Sequence, residues 1–294
     1  MRDILGMARG RVIFSDNLPV LHGLPDACID LVYVDPPFNT GKTQTLQRLQ
    51  TAAAEDGDRV GYQGKRYTTV KLGKTSYVDV FDDYLAFLEP RAVEFRRVLK
   101  DTGTLYFHSD YRESHYCKVL LDAIFGRDCF LNEVIWAYDY GGRTKKKWPP
   151  KHDTILVYVK DAARYFFNAE AVDRIPYMAP GLVGPDKAAR GKLPTDTWWH
   201  TIVPPASKER TGYPTQKPVG IIRRMIQASA PIDGVVADFF AGSGTAGAAA
   251  LDLGRRFVLV DDNPEAVATI ARRFTSQSGI EYVGFDPGGV TVSS

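Results

Sequence analysis

The sequence predicts an α/β fold: a doubly wound, mostly parallel sheet with helices on both faces. Three observations lead there. Short runs rich in Val, Ile, Phe and Tyr recur along the chain and end in a polar residue or Gly, as strands covered on both faces do. Amphipathic helical patterns separate several of these runs. One run leads directly into a glycine-rich turn that opens an alanine-rich helix.

The runs read as strands are residues 11–16, 30–35, 103–109, 133–138, 154–160, 235–240 and 256–261. Tyr84, Phe87, Leu88, Phe95, Val98 and Leu99 recur at helical spacing, with Pro90 as a kink point and Gly103 as a stop. Tyr116, Val119, Leu120, Ala123 and Ile124 form a second stripe that ends at Gly126. Residues 218–230, 245–253 and 264–274 read as three further helices. Residues 39–80 show no clear period and read as a long loop, mobile or functional. Residues 161–213 carry six prolines and read as an irregular module inserted at the sheet's edge. The Gly-rich end, residues 287–294, reads as a fraying tail.

A chain of 294 residues, 44% apolar, can bury a sizeable core and is neither disordered nor collagen-like. No apolar stretch approaches the roughly 18 residues of a membrane span. The opening MRDILGMARGRVIF lacks the apolar core of a secretory signal. Cys28, Cys117 and Cys129 share no close spacing, so neither disulfides nor zinc are indicated, and a cytoplasmic setting is expected. The five histidines show no metal-ligand spacing. A net charge of +2 does not decide for or against nucleic acid.

The sharpest local signal is Gly242-Ser-Gly-Thr-Ala-Gly247, a G-x-G-x-x-G pattern placed between strand and helix. Glycine there permits a tight turn and a close approach of ligand to backbone. Asp261 ends the next strand, where a carboxylate can accept hydrogen bonds from ribose hydroxyls. Only 33 residues follow Asp261, so the rest of the sheet must precede the glycine loop. That permuted order makes a nicotinamide enzyme unattractive.

The second signal is Asp35-Pro36-Pro37-Phe38 at the end of an apolar run. Two prolines stop a strand abruptly, because neither donates to the ladder and each fixes its own φ. The corner presents a carboxylate, carbonyl oxygens and an aromatic face. Those groups suit an exocyclic amino group on a flat base: Asp35 and the Pro36 carbonyl accept its hydrogens while Phe38 stacks on the ring. Two acceptors free a lone pair otherwise delocalised into the ring, and stacking adds about 1–3 kcal/mol.

Together the two motifs resemble the S-adenosylmethionine-dependent DNA amino-methyltransferases, which modify N6 of adenine or N4 of cytosine. Asp35-Pro-Pro-Phe38 is similar to their catalytic motif and Asp238-Phe-Phe-Ala-Gly-Ser-Gly-Thr245 to their cofactor loop. The catalytic motif comes first, as in the permuted group called beta class. The stretches Thr102–Ser109, His152–Lys160 and Thr215-Gln-Lys-Pro218 also match. The resemblance implies a permuted Rossmann-like methyltransferase sheet. Residues 1–160 would form its catalytic half, 161–213 a target-recognition module and 214–286 the cofactor half. It further implies that Asp16, Asn17, Asp35, Thr215, Lys217, Phe240, Gly242, Ser243, Gly244, Thr245 and Asp261 serve S-adenosylmethionine, with no metal. Asp16 and Asn17 would lie beside its adenine, Phe240, Gly242 and Gly244 beneath its methionine part, and Thr215 and Lys217 at its carboxylate. Phe38 stands where the family usually has Tyr, which keeps the stacking face without the hydroxyl. Asp as the first motif residue points to adenine N6 in double-stranded DNA.

Arg143, Lys145, Lys146, Lys147 and Lys151 place five cations in nine residues around Trp148, a run able to follow a phosphate backbone. Cytosine N4 and RNA bases stay open as alternative targets. So do a catalytically silent DNA-binding module, a homodimer and a partner restriction endonuclease.

Overall fold

The computed structural model describes residue 6, residues 8–37, 83–139 and 144–288, and the backbone of 42–53, 59–60 and 66–79. Phe38 and Arg143 lie outside the described residues. The chain begins β1 (Gly10–Phe14), α1 (Asn17–Gly23) and β2 (Ile29–Val34). An antiparallel unit follows, β3 (Lys42–Ala53), β4 (Arg59–Val60) and β5 (Arg66–Asp79). Next come α2 (Tyr84–Val98), β6 (Leu99–Ser109), α3 (Ser114–Phe125), β7 (Phe130–Ala137) and β8 (His152–Val159). The remainder is α4 (Pro185–Arg190), β9 (Thr197–Trp199), α5 (Val219–Ser229), β10 (Val235–Asp238), α6 (Thr245–Asp252), β11 (Arg256–Asp261), α7 (Pro264–Arg273) and β12 (Ile280–Val283).

Among the described residues the main sheet has nine strands in the order β12-β1-β11-β10-β2-β6-β8-β7-β9. The late strands β10 and β11 sit between the early strands β1 and β2, which is the permutation expected. Strands β12 through β6 run parallel. The sheet is not wholly parallel, however: β8 is antiparallel to both β6 and β7. Among the described residues no helix separates β7 from β8, and a direct return of this kind makes antiparallel neighbours.

Side chains of β2 alternate between two cores. Val32 and Val34 pack with Leu88, Phe95 and Leu121 of α2 and α3. Leu31 and Tyr33 pack with Ile222, Met225 and Ile226 of α5 and with Ala249 of α6. Covering both faces explains why every residue of β2 is buried.

Residues 39–80 depart from the expected loop, since β3 pairs with β5 from Lys42↔Asp79 to Ala53↔Tyr67. Thr recurs in both strands and Val and Tyr in β5, residues that favour a pleated backbone. The stretch 161–213 is largely irregular, yet its β9 adds an edge strand parallel to β7. Helix α2 runs through Pro90, with Asp83 accepting from the Ala86 amide at its start. No helix of the described residues is long and apolar enough to cross a membrane.

Candidate active site

Strands β2 and β10 are parallel neighbours, so the Asp-Pro-Pro corner and the glycine loop leave the same edge of the sheet side by side. The order in which successive strands are laid down reverses between these two strands, the switch point where open α/β sheets hold ligands. A cavity of about 490 Å³ opens there. Asp35, Pro36, Pro37, Thr215, Lys217, Phe240, Gly242, Ser243, Thr245 and Asp261 all line it, as do Tyr33, Tyr213, Asp238, Asp262 and Asn263.

The Asp35 carboxylate is the most informative group. Its Oδ2 forms an ion pair with the Lys217 ammonium, and the side chains are only 16% and 9% exposed. Its Oδ1 is buried with no hydrogen-bond partner among the described residues. A buried acceptor left unmet costs free energy unless a ligand supplies the donor.

The glycine loop is built around two residues in the left-handed region, Gly242 at φ 49° and Gly244 at φ 72°. Gly242 donates its amide to Asp261 Oδ2 at 2.7 Å, and Asn263 donates to Oδ1 at 2.9 Å. Burial pushes the Asp261 carboxyl up to about 6 against the pull of those two amides. Burial, reinforced by the charges of Asp35 and Asp261, holds Asp238 well above the usual carboxylate range. The Ser243 and Thr245 hydroxyls lie 3.0 Å apart, and Thr245 donates to the Lys217 carbonyl. That bond ties the glycine loop to the segment carrying Thr215, itself a non-glycine residue at φ 57°. Strain of this kind collects where a ligand must be clasped.

Three expected cofactor residues do not line the cavity. A Cβ on Gly244 would meet Ile270 at 3.0 Å and Leu259 at 3.5 Å, so that glycine faces the packed interior. The Asp16 carboxylate accepts from the Leu18 amide at the start of α1 and pairs with Arg91 at 2.9 Å. Asn17 donates to the Phe239 carbonyl at 2.7 Å and accepts from Arg91 at 2.6 Å, which braces the turn after β10. Tyr213, Gln216 and Asn263 border the cavity without having been assigned a role from sequence. Their place beside Thr215-Gln-Lys-Pro218 and Asp261 was the available signal.

The basic run connects β7 to β8. Because β7 points the same way as β2, the run leaves the sheet at the edge that carries Asp35. Lys145, Lys146 and Lys147 are exposed, Lys151 is partly so, and Trp148 is 94% exposed. Lys147 lies 5.5 Å from the Tyr111 ring.

Charge narrows what the cavity can take. Four aspartates line it; even with Asp238 held toward its neutral form, three other carboxylates face Lys217, the only Lys or Arg among the described lining residues. That balance suits a ligand with cationic groups and disfavours the pyrophosphate of a dinucleotide. Among the described residues no cluster of His, Cys, Asp and Glu could hold a metal ion.

The comparisons agree with this geometry. A family model described as DNA methylase, covering N6 and N4 methyltransferases, matches residues 29–272. Type II methyltransferase M.HpaI of Haemophilus parainfluenzae is 29% identical over 276 residues, 94% of this chain and 76% of that protein. DNA adenine methyltransferase YhdJ of Escherichia coli K12 is 28% identical over 275 residues, 89% of this chain and 81% of that protein. The solved PvuII DNA methyltransferase, cytosine-N4-specific, shares the fold at a TM-score of 0.62 and 15% identity, covering 97% of this chain and 92% of that one. With the Asp-Pro-Pro corner and glycine loop meeting at one cavity, and the family model spanning both, this chain belongs to the N6/N4 DNA methyltransferase family.

Proposed function

We propose that this methyltransferase transfers the methyl group of S-adenosylmethionine to N6 of adenine in double-stranded DNA. The observation that carries the reading is the buried, unpartnered Asp35 Oδ1 at a proline-locked corner beside the glycine loop. S-adenosylmethionine supplies an electrophilic methyl on a sulfonium, and its positive charge suits the aspartate-rich cavity. Asp35 Oδ1 and the Pro36 carbonyl accept the two amino hydrogens and turn the amine lone pair toward that methyl. Lys217 holds the other Asp35 oxygen, which fixes the carboxylate's orientation. Asp261 and the Gly242 turn take the ribose and methionine ends, and Thr215 clasps from above.

The target base must leave the duplex stack, at a few kcal/mol, before its amine can meet this corner. Phe38 supplies the aromatic face that stacks on the flipped ring. Arg143, Lys145, Lys146, Lys147 and Lys151 neutralise backbone phosphates, and residues 161–213 read the sequence around the target. Adenine is favoured by Asp as the first motif residue and by the similarity to an adenine methyltransferase. Orientation and the two hydrogen bonds supply most of the acceleration.

The test is Asp35→Ala. Methyl transfer to duplex DNA should vanish while calorimetry still registers cofactor binding. Retained transfer would refute the assignment of Asp35.

A further inference from the structure

Directly behind the reactive corner lies a buried polar chain that the reaction above does not use. Tyr33 lies near the end of β2 and Asp35 just beyond it, and both side chains border the same cavity. The Tyr33 hydroxyl is 3.0 Å from His108 Nδ1, and His108 Nε2 is 3.1 Å from Asp153 Oδ2. Tyr138 donates to the other Asp153 oxygen at 3.0 Å. His108 is fully buried, with the Trp136 ring packed edge-on against it.

The chain has one consistent polarity. His108 holds the Asp153 carboxyl below its usual range despite burial, so Asp153 accepts. In the neutral ring, a proton on Nε2 faces the Asp153 carboxylate, which leaves Nδ1 to accept from the Tyr33 hydroxyl. Burial, together with the nearby Asp35, Asp238 and Asp153, keeps Tyr33 protonated and able to donate. The order of hydroxyl, imidazole and carboxylate is that of a base-activated relay, with the ring oriented by the acid.

Methylation of an amine must release a proton. Asp35 is already committed, one oxygen to Lys217 and the other to the amine. We propose that Tyr33, His108 and Asp153 form the proton-accepting chain of the methyl-transfer reaction. As the N–C bond forms and the donor's C–S bond breaks, the amine N–H bond breaks and its proton passes to the Tyr33 oxygen. The Tyr33 proton moves to His108 Nδ1, and Asp153 stabilises the imidazolium. Tyr138, half-buried at the foot of the basic run, links the far end of the chain toward solvent. The charged and titratable groups around the chain are Asp35 and Asp238 at the cavity, Lys217 before α5, Asp110 and Arg112 after β6, and Tyr138 beyond β7.

This inference rests on the methyltransferase reading, and two measurements separate them. Nitrogen NMR of His108 in the free protein at alkaline pH should show the ring protonated on Nε2 alone. A proton on Nδ1 would overturn the relay whatever the enzyme does. Tyr33→Phe should lower kcat roughly 10²-fold, the scale of general-base catalysis, while cofactor affinity and DNA KM hold. Asp153→Asn should lower kcat alike and shift its pH profile. If wild type transfers no methyl group to DNA, the underlying reading fails. If wild type is active and Tyr33→Phe keeps its kcat within about twofold, the relay alone fails.

Discussion

The pair between Lys217 and Asp35 allows a quantitative test of how the site is held. Replacing Lys217 by Met removes the cation, keeps most of the side-chain length and leaves Asp35 charged with neither oxygen paired among the described residues. The side chains are 9% and 16% exposed, so the small value of a surface ion pair does not apply. Breaking a buried pair from one side costs about 3–5 kcal/mol, because the surviving charge keeps its desolvation penalty without compensation. Urea unfolding should show that loss as a lower midpoint at unchanged slope. Removing both charges, with Lys217→Met and Asp35→Leu together, should recover most of it, since the penalty disappears with the second charge. The reasoning is refuted if Lys217→Met alone costs less than about 1 kcal/mol, the range of an exposed pair. It is equally refuted if the double variant is no more stable than the single one.

Three more expectations concern the cradle and the DNA surface. Because Asp261 titrates at about 6 in the folded protein, its charged form is lost as pH falls through that value, so cofactor affinity by calorimetry should weaken below it. Asp261→Asn should abolish that pH step; a step that persists would assign it to another group. Gly244→Ala should be more destabilising than Gly254→Ala. Both glycines have positive φ, at a cost of roughly 1–2 kcal/mol for a side chain, but only Gly244 would also press on Ile270. Equal losses in thermal unfolding would contradict the packing term. Replacing Lys145, Lys146 and Lys147 by Ala should reduce the slope of log affinity against log salt by roughly 2–3 for duplex DNA. An unchanged slope would remove the basic run from the interface.

Elements with a strong local pattern were legible from sequence. The seven apolar runs all became strands of the main sheet, and the signature is most continuous where burial covers both faces, in β2, β8 and β10. The two motifs were readable for a similar reason: a proline pair and a glycine turn constrain the backbone whatever surrounds them. Other features depend on partners far away in the chain. Strand β9 has only three residues and exists by pairing with β7. The β3–β5 pairing lacks the apolar alternation of a half-buried strand, so its Thr-rich polar sequence read as loop. Asp16 and Asn17 both bond to Arg91, more than 70 positions later, a pairing that nothing local in the sequence announces. The direction in which Gly244 faces is likewise set by α7 and β11. The Tyr33, His108 and Asp153 chain joins three strands, and no spacing in the sequence foretells it.

The most direct test of the central claim is to incubate the protein with mixed-sequence duplex DNA and methyl-labelled S-adenosylmethionine, then digest the DNA and identify the labelled nucleoside by mass spectrometry. The account predicts label in N6-methyladenine, present with wild type and absent with Asp35→Ala. Label in N4-methylcytosine alone would contradict the assignment of adenine, and no label in DNA despite measured cofactor binding would contradict the assignment of substrate.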